Sequence, residues 1–323
     1  MLYKLLLFPS RIALRFYLRK IIINNKAKLQ EQGPLLIAAN HPNSFLDAII
    51  VSTLFKSPVY SLTRGDAFAG KWITKILSSL NMLPIFRLSE GAENLEHNYT
   101  TFDACQKLFE QNKIVLIFSE GRCINEWHLR SLKKGTARLA MAVWQTNVPL
   151  KILPLGLNYS SFRHFGKTVI CNFGEIFSKN DFDEYLSPGK TINEFNEKLK
   201  SQLQNLVYEI DENDFSRQKK YFAIRSSLLK KIFLFIPAIT GFILNSPLYF
   251  CLHLIIKNRA EDHYDSIMMG LLFLIYPLYI FLATLSIFFI TNDAFSFSLL
   301  FIFPFSAYCL LHFKNTVYAK ATF

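Results

Sequence analysis

The chain has 323 residues, of which 51% are hydrophobic and 19% charged, with 12 glycines and five cysteines. That composition excludes an intrinsically disordered chain, a collagen-like repeat and a small disulfide scaffold. Thirty-six Lys and Arg against 24 Asp and Glu give a net charge of +12. The charge is unevenly spread. Residues 232–323 hold four basic residues (Lys257, Arg259, Lys314, Lys320) and four acidic ones (Glu261, Asp262, Asp265, Asp293), so the whole excess lies on 1–231. A basic first part followed by an apolar, nearly charge-free second part reads as a catalytic or binding domain tied to a membrane. A basic surface also suits nucleic acid, but no nucleic-acid motif occurs and none is expected as a partner. Cys105, Cys123, Cys171, Cys251 and Cys309 form no C-x-x-C or other metal spacing, which suggests free thiols in a reducing compartment.

Taken in order, residues 1–30 begin with a basic amphipathic helix. Arg11, Arg15 and Arg19 recur every four residues beside Leu14, Phe16, Tyr17 and Leu18, and no acid precedes Glu31. Such a helix suits an anionic lipid surface, or docking on its own domain, or both. The recurring arginines leave no clean apolar run for a cleavable signal peptide. Strands are expected at 34–40, 59–63, 82–86, 113–121, 148–159 and 167–173, with helices at 45–55, 67–80, 94–111, 133–146 and 190–210. Strands alternating with helices predict an α/β fold with a sheet flanked by helices over residues 31–231. Pro154 marks its strand as an edge or a bulge.

Residues 232–323 read as a membrane domain, with apolar stretches at 232–256, 266–290 and 294–312. The first is interrupted by Pro237 and by Asn245-Ser246-Pro247. A re-entrant hairpin over 232–256, followed by two crossings, puts every Lys and Arg on the side of the catalytic domain, as the positive-inside preference asks.

The chemistry-bearing segments lie at strand ends, where α/β sheets bind ligands. Asn40-His41-Pro42-Asn43-Ser44-Phe45-Leu46-Asp47 follows the first strand, with Asn43 or Ser44 also suited to cap a helix. A His can take a proton from a hydroxyl if a carboxylate fixes its tautomer. Pro84-Ile85-Phe86-Arg87 places an Arg at another strand end, and Phe118-Ser119-Glu120-Gly121-Arg122 places Glu, Gly and Arg at a third. Singly, Arg87 reads as a surface charge, Glu120 as a cap and Gly121 as a turn. Arg122, Arg130, Lys133 and Lys134 make a basic cluster suited to phosphate or to solvent. No H-x-x-x-H or H-E-x-x-H arrangement occurs, so no metal is expected.

In this order the segments resemble the four blocks of the glycerophospholipid acyltransferase superfamily, N-H-x4-D, G-x-x-F-I-x-R, F-P-E-G-T and a late V-x-x-x-P-V, over roughly residues 30–180. There are departures. Five residues separate His41 from Asp47, a spacing shared with a branch resembling fungal glycerol-3-phosphate acyltransferases. Asn81 or a neighbour stands for the first Gly of the second block, Ser119 for the Pro of the third and Arg122 for its Thr.

The resemblance implies an O-acyltransferase of phospholipid biosynthesis. His41 and Asp47 would be catalytic, and Arg87, Glu120, Gly121 and Arg122 would bind the acceptor. The acyl donor would be acyl-CoA or acyl carrier protein as co-substrate, with no other cofactor. The acceptor would be glycerol 3-phosphate or a lysophospholipid. The expected setting is membrane lipid of a bacterial inner membrane, with the catalytic domain cytoplasmic. Alternatives are another lyso-lipid acceptor, such as an aminoacyl lipid, or a non-catalytic lipid-binding protein.

Overall fold

The computed structural model describes residues 2–86, 97–183, 187–224, 227–258 and 261–313. Seven strands form one sheet: β1 (Lys20–Asn24), β2 (Leu35–Ala39), β3 (Val59–Arg64), β4 (Met82–Ile85), β5 (Ile114–Phe118), β6 (Lys151–Tyr159) and β7 (Thr168–Phe173). Their spatial order is β1-β7-β6-β2-β5-β3-β4, and every pair is parallel except β6–β7. The fold is therefore the expected mixed α/β sheet flanked by helices.

β2 is fully buried at all five positions, as continuous apolar strands covered on both faces are. Its alternate residues feed two cores. Leu35, Ile37 and Ala39 meet Leu14 of α1 (Leu2–Tyr17) and Leu46 and Ile50 of α2 (Ser44–Leu54). Leu36 and Ala38 meet Phe109 of α4 (His97–Glu110), Leu139 of α5 (Gly135–Trp144) and Phe195 of α6 (Pro188–Leu206). α3 (Lys71–Ser79) joins β3 to β4 and buries none of its residues.

The first thirty residues do not form one helix. α1 ends at Tyr17, Arg19 is buried beyond it, and Lys20–Asn24 pairs with β7 along the sheet edge. The β-branched run Ile21–Ile23 favours the extended chain there. Pro154 does not mark an edge, because β6 lies between β2 and β7. The Lys151 N–H faces β2 and bonds Pro34 O, the Ile152 N–H faces the other way and bonds Phe177 O, and by this alternation Pro154 lacks its N–H on the second side. There the β7 ladder covers only Leu155–Tyr159, so the proline falls where the pairing is interrupted. A short helix, α7 (Phe215–Phe222), was not anticipated; the Asp214 side chain caps it by accepting from Arg217 N at 2.9 Å.

The apolar stretches form α8 (Leu228–Ile256), α9 (Tyr264–Thr291) and α10 (Leu299–Phe313), the last preceded by a 3-10 turn at Ala294–Ser298. With that turn, all three are long and apolar enough to cross a membrane. The expected hairpin within 232–256 is corrected: α8 is one continuous helix of 29 residues, about 43 Å long at ~1.5 Å per residue. The Asn245 and Ser246 side chains bond back to the carbonyls of Gly241 and Phe242, one turn earlier, so this segment continues the helix.

The far end of α8 does not lead away from the α/β domain. Leu252 and Ile256 lie in the same core as Leu46 and Leu35, with Tyr264 and Met268 of α9. α10 also ends against the domain: the rings of Tyr308 and Phe16 meet edge to face at 6.3 Å, and Leu311 packs on Gly166. Between these points α9 and α10 are joined through Asn292, in the left-handed region at φ 50°.

Candidate active site

Strand β2 delivers Asn40 and His41 to the C-terminal edge of the sheet. The Asn40 amide bonds both backbone groups of Leu157, at 2.7 and 3.1 Å, tying this edge to β6. His41 Nδ1 stands 2.9 Å from Asp47 Oδ2, and the imidazole stacks on the Phe118 ring with centroids 3.8 Å apart. Asp47 is fully buried in the first turn of α2. Its Oδ2 also accepts from Asn43 N at 2.8 Å, and its Oδ1 accepts from the Tyr159 hydroxyl at 2.6 Å. Burial, and then the negative charge of Asp47, raise the Tyr159 phenol well above its ordinary value, so it stays a neutral donor. With Asp47 accepting, His41 carries its proton on Nδ1 and presents a basic Nε2. The five-residue spacing closes through a turn in which Ser44 takes a positive φ of 47°.

Glu120, at the end of β5, is buried with both oxygens engaged. Oε2 accepts from the His41 N–H at 2.8 Å and Oε1 from the Arg130 N–H at 2.9 Å. Burial raises its pKa, while those two N–H groups pull the other way. Gly121 follows with φ +67°, a conformation that favours glycine. Arg122 is exposed. Arg130 pairs with Glu126 at 3.2 Å. Ser119, where the superfamily has proline, donates its N–H to Ala39 O and accepts from the Thr136 hydroxyl. Arg87 lies outside the described residues; β4 ends just before it, and the Asn98 amide clamps both backbone groups of Phe86 at 2.8 Å.

Neither Asn43 nor Ser44 caps α2 with its side chain. Both turn instead to the start of α9. Asn43 Nδ2 donates to Asp265 Oδ2 at 2.7 Å, and Ser44 Oγ meets His263 Nδ1 at 2.9 Å. The Ser266 hydroxyl donates to Asn43 O at 2.9 Å and accepts from Leu46 N at 3.0 Å. Asp265 is also bonded by the Tyr17 hydroxyl and paired with Lys167, and all three are buried. Burial lowers the Lys167 pKa, opposed by Asp265. On the other flank, Asn125 donates to Pro42 O at 2.7 Å and, through its N–H, to Asp262 Oδ1 at 3.1 Å.

Burial lowers the His263 imidazole; Asp262 opposes this, while Arg64 and His41 add to it. The Cys123 sulfur accepts from Ser44 N at 2.9 Å, and burial, then Asp47, push its thiol far up, so it is no nucleophile. Among the described residues, no group of three His, Cys, Asp or Glu side chains could hold a metal ion. Tyr159, Asp265 and Ser266 carry no short-range signal in the sequence, because the groups they bond on Asp47 and the turn before it lie 112 to 223 positions away.

Residues 20–158 match the model of the family described as Acyltransferase. No curated protein matches the chain. Seven chains of known structure match it. One is the 1-acyl-sn-glycerophosphate (LPA) acyltransferase PlsC from Thermotoga maritima, with 11% identity and a TM-score of 0.42, covering 63% of this chain and 79% of that one.

Proposed function

We propose that this chain, whose residues 20–158 match the Acyltransferase family model, is a member of the glycerophospholipid acyltransferase superfamily that moves an acyl group from acyl-CoA or acyl carrier protein to a hydroxyl of glycerol 3-phosphate or a lysophospholipid. The observation that carries this is the His41–Asp47 pair, 2.9 Å apart, with Asp47 buried and held by two further donors.

In the proposed reaction, His41 Nε2 takes the proton of the acceptor hydroxyl as its oxygen attacks the thioester carbonyl. Asp47 holds the imidazole by Nδ1–H and stabilises the cation that forms. The tetrahedral intermediate collapses, the C–S bond breaks, and the leaving thiolate recovers the proton from His41. An ester and a free thiol result, and no acyl-enzyme is needed. Arg87 and Arg122 are assigned to the acceptor phosphate, for which the guanidinium fork is suited. Glu120 acts at one remove: with both oxygens on backbone N–H groups, it sets the height of His41 and the course of the basic loop. Gly121 allows the turn between them.

The proposed membrane arrangement rests on where the helices end. A helix crossing the ~30 Å hydrocarbon core would leave its far end on the side opposite the domain. The far end of α8 is packed in the domain core, so in this reading α8 does not cross and its C-terminal end stays on the side of the domain. α9 and α10 then form the pair that crosses out and back. Leu5, Phe8 and Ile12 of α1, with Trp72, Ile73 and Ile76 of α3, are exposed apolar residues beside Lys4, Lys71 and Lys75. They suit the surface of the same bilayer, on its cytoplasmic side where thioester donors are found.

The test is to offer purified protein in nanodiscs glycerol 3-phosphate or lysophosphatidate, each with palmitoyl-CoA and with palmitoyl acyl carrier protein. A new ester in one arm, identified by mass spectrometry, is the expected result. Free palmitate alone, or no turnover in all four arms, overturns the proposal.

A further inference from the structure

The hydrophobic C-terminal part does more than anchor. We propose that Ser266, with Asp262, His263 and Asp265 beside it at the entry to α9, forms a positioning segment for the catalytic turn, acting on His41 and Asp47 through residues 42–46. This rests on the acyl-transfer reading of the site. The turn that spaces His41 from Asp47 has few bonds of its own; Asn43 O, Leu46 N and the Asn43 and Ser44 side chains are held from the entry to α9, while Pro42 O and Ser44 N are held by Asn125 and Cys123. Ser266 bridges Asn43 O and Leu46 N, two of the backbone groups that set where Asp47 projects. Asp265 fixes the Asn43 side chain and His263 meets the Ser44 hydroxyl. Asp262 reaches the turn through Asn125, which also holds Pro42 O.

These bonds are anchored. Asp265 is itself locked by Tyr17 at the end of α1 and by Lys167 just before β7, so a shift of α9 cannot be absorbed locally. Phe45 packs close to Gly270 one turn further along, adding an apolar contact between the same two elements. The segment's hydrogen bonds to the turn end on Asn43, Ser44 and Leu46, short of His41 and Asp47; its effect is on geometry, to which general-base catalysis is sensitive at the scale of one ångström.

The experiment uses the full chain in nanodiscs and compares Ser266→Ala with Ser266→Thr, which keeps the hydroxyl. Hydrogen exchange followed by mass spectrometry should show faster exchange over residues 41–48 in Ser266→Ala, with the peptide over 113–119 unchanged. In the acyl-transfer assay, kcat should fall by about 10- to 100-fold while KM for donor and acceptor moves by less than about threefold. Ser266→Thr should recover most of both effects.

Unchanged exchange over 41–48 in Ser266→Ala would overturn the proposal. So would exchange raised throughout the chain with a lower melting temperature and an unchanged kcat per folded molecule, the pattern of a merely structural serine. If the wild-type protein transfers no acyl group, the acyl-transfer reading fails, and the exchange comparison still decides whether α9 holds the turn.

Discussion

Asn43 and Asp265 stand 222 residues apart, and Nδ2 of the first donates to Oδ2 of the second at 2.7 Å. That bond joins the turn after the first buried strand of the α/β domain to the first turn of a hydrophobic helix. Asp265 makes the junction rigid because a buried carboxylate must be paired and fully bonded, and here Lys167, Tyr17 and Asn43 supply the partners.

The ion pair gives a stability prediction. Lys167→Met leaves Asp265 buried without its cation and should cost about 3–5 kcal/mol. Adding Asp265→Asn removes the stranded charge, so the double variant should be more stable than Lys167→Met alone. Urea unfolding followed by tryptophan fluorescence measures both, and strictly additive losses would contradict the pairing.

Catalysis should depend on His41 and Asp47 together. His41→Ala should reduce the initial rate by about a thousandfold or more. Asp47→Asn should cost about as much, since an amide no longer fixes the tautomer or stabilises the imidazolium. A His41→Ala protein retaining a tenth of the rate, only ~1.4 kcal/mol in barrier, would remove His41 as the base.

Glu120 supplies a pH dependence. Its pKa is raised by burial, so its ionised form is disfavoured in the folded state. Relative to Glu120→Gln, wild-type stability should therefore be greatest below the ordinary carboxylate value of 4.5 and fall as pH rises through the raised value. Thermal unfolding of the two proteins between pH 4 and 8 reads the difference; a gap that widens in favour of wild type with rising pH has the wrong sign. Glu120→Ala instead leaves the part-buried N–H groups of His41 and Arg130 without their acceptor and should cost about 1–3 kcal/mol at any pH in that range.

Topology can be read with single cysteines in a Cys251→Ser background, since Cys251 is exposed on α8. Asp293→Cys, between α9 and α10, should react with a membrane-impermeant maleimide on intact cells. Asn258→Cys, just past α8, should react only after permeabilisation. Labelling of Asn258→Cys from outside would mean that α8 crosses the membrane.

Much of the domain was legible in the sequence because its signals are local. The apolar runs Leu35–Ala39 and Ile114–Phe118 are long and unbroken, and burial on both faces admits little else. His41, Glu120 and Gly121 were legible because each sits just past a strand end, and Asp47 because it follows within the same recognisable block. Residues 20–24 were misread because three isoleucines after an arginine-rich helix suit either state, and only pairing with β7 makes them a strand. The Asn245-Ser246-Pro247 segment reads as a break in water, but inside α8 its side chains return to the helix carbonyls.

What the sequence by itself determined is the strand–helix alternation, the residues of the candidate site and the length of the apolar helices, all set by patterns within a few residues. Only the tertiary structure decided that Tyr159 and Ser266 complete the setting of Asp47, and that α8 ends at the domain instead of beyond it. The first depends on buried polar groups finding partners more than a hundred residues away, the second on Leu252 and Ile256 finding apolar ones. A hydroxyl or carboxylate in a sequence does not carry the address of its partner; packing does, by placing both where water cannot reach.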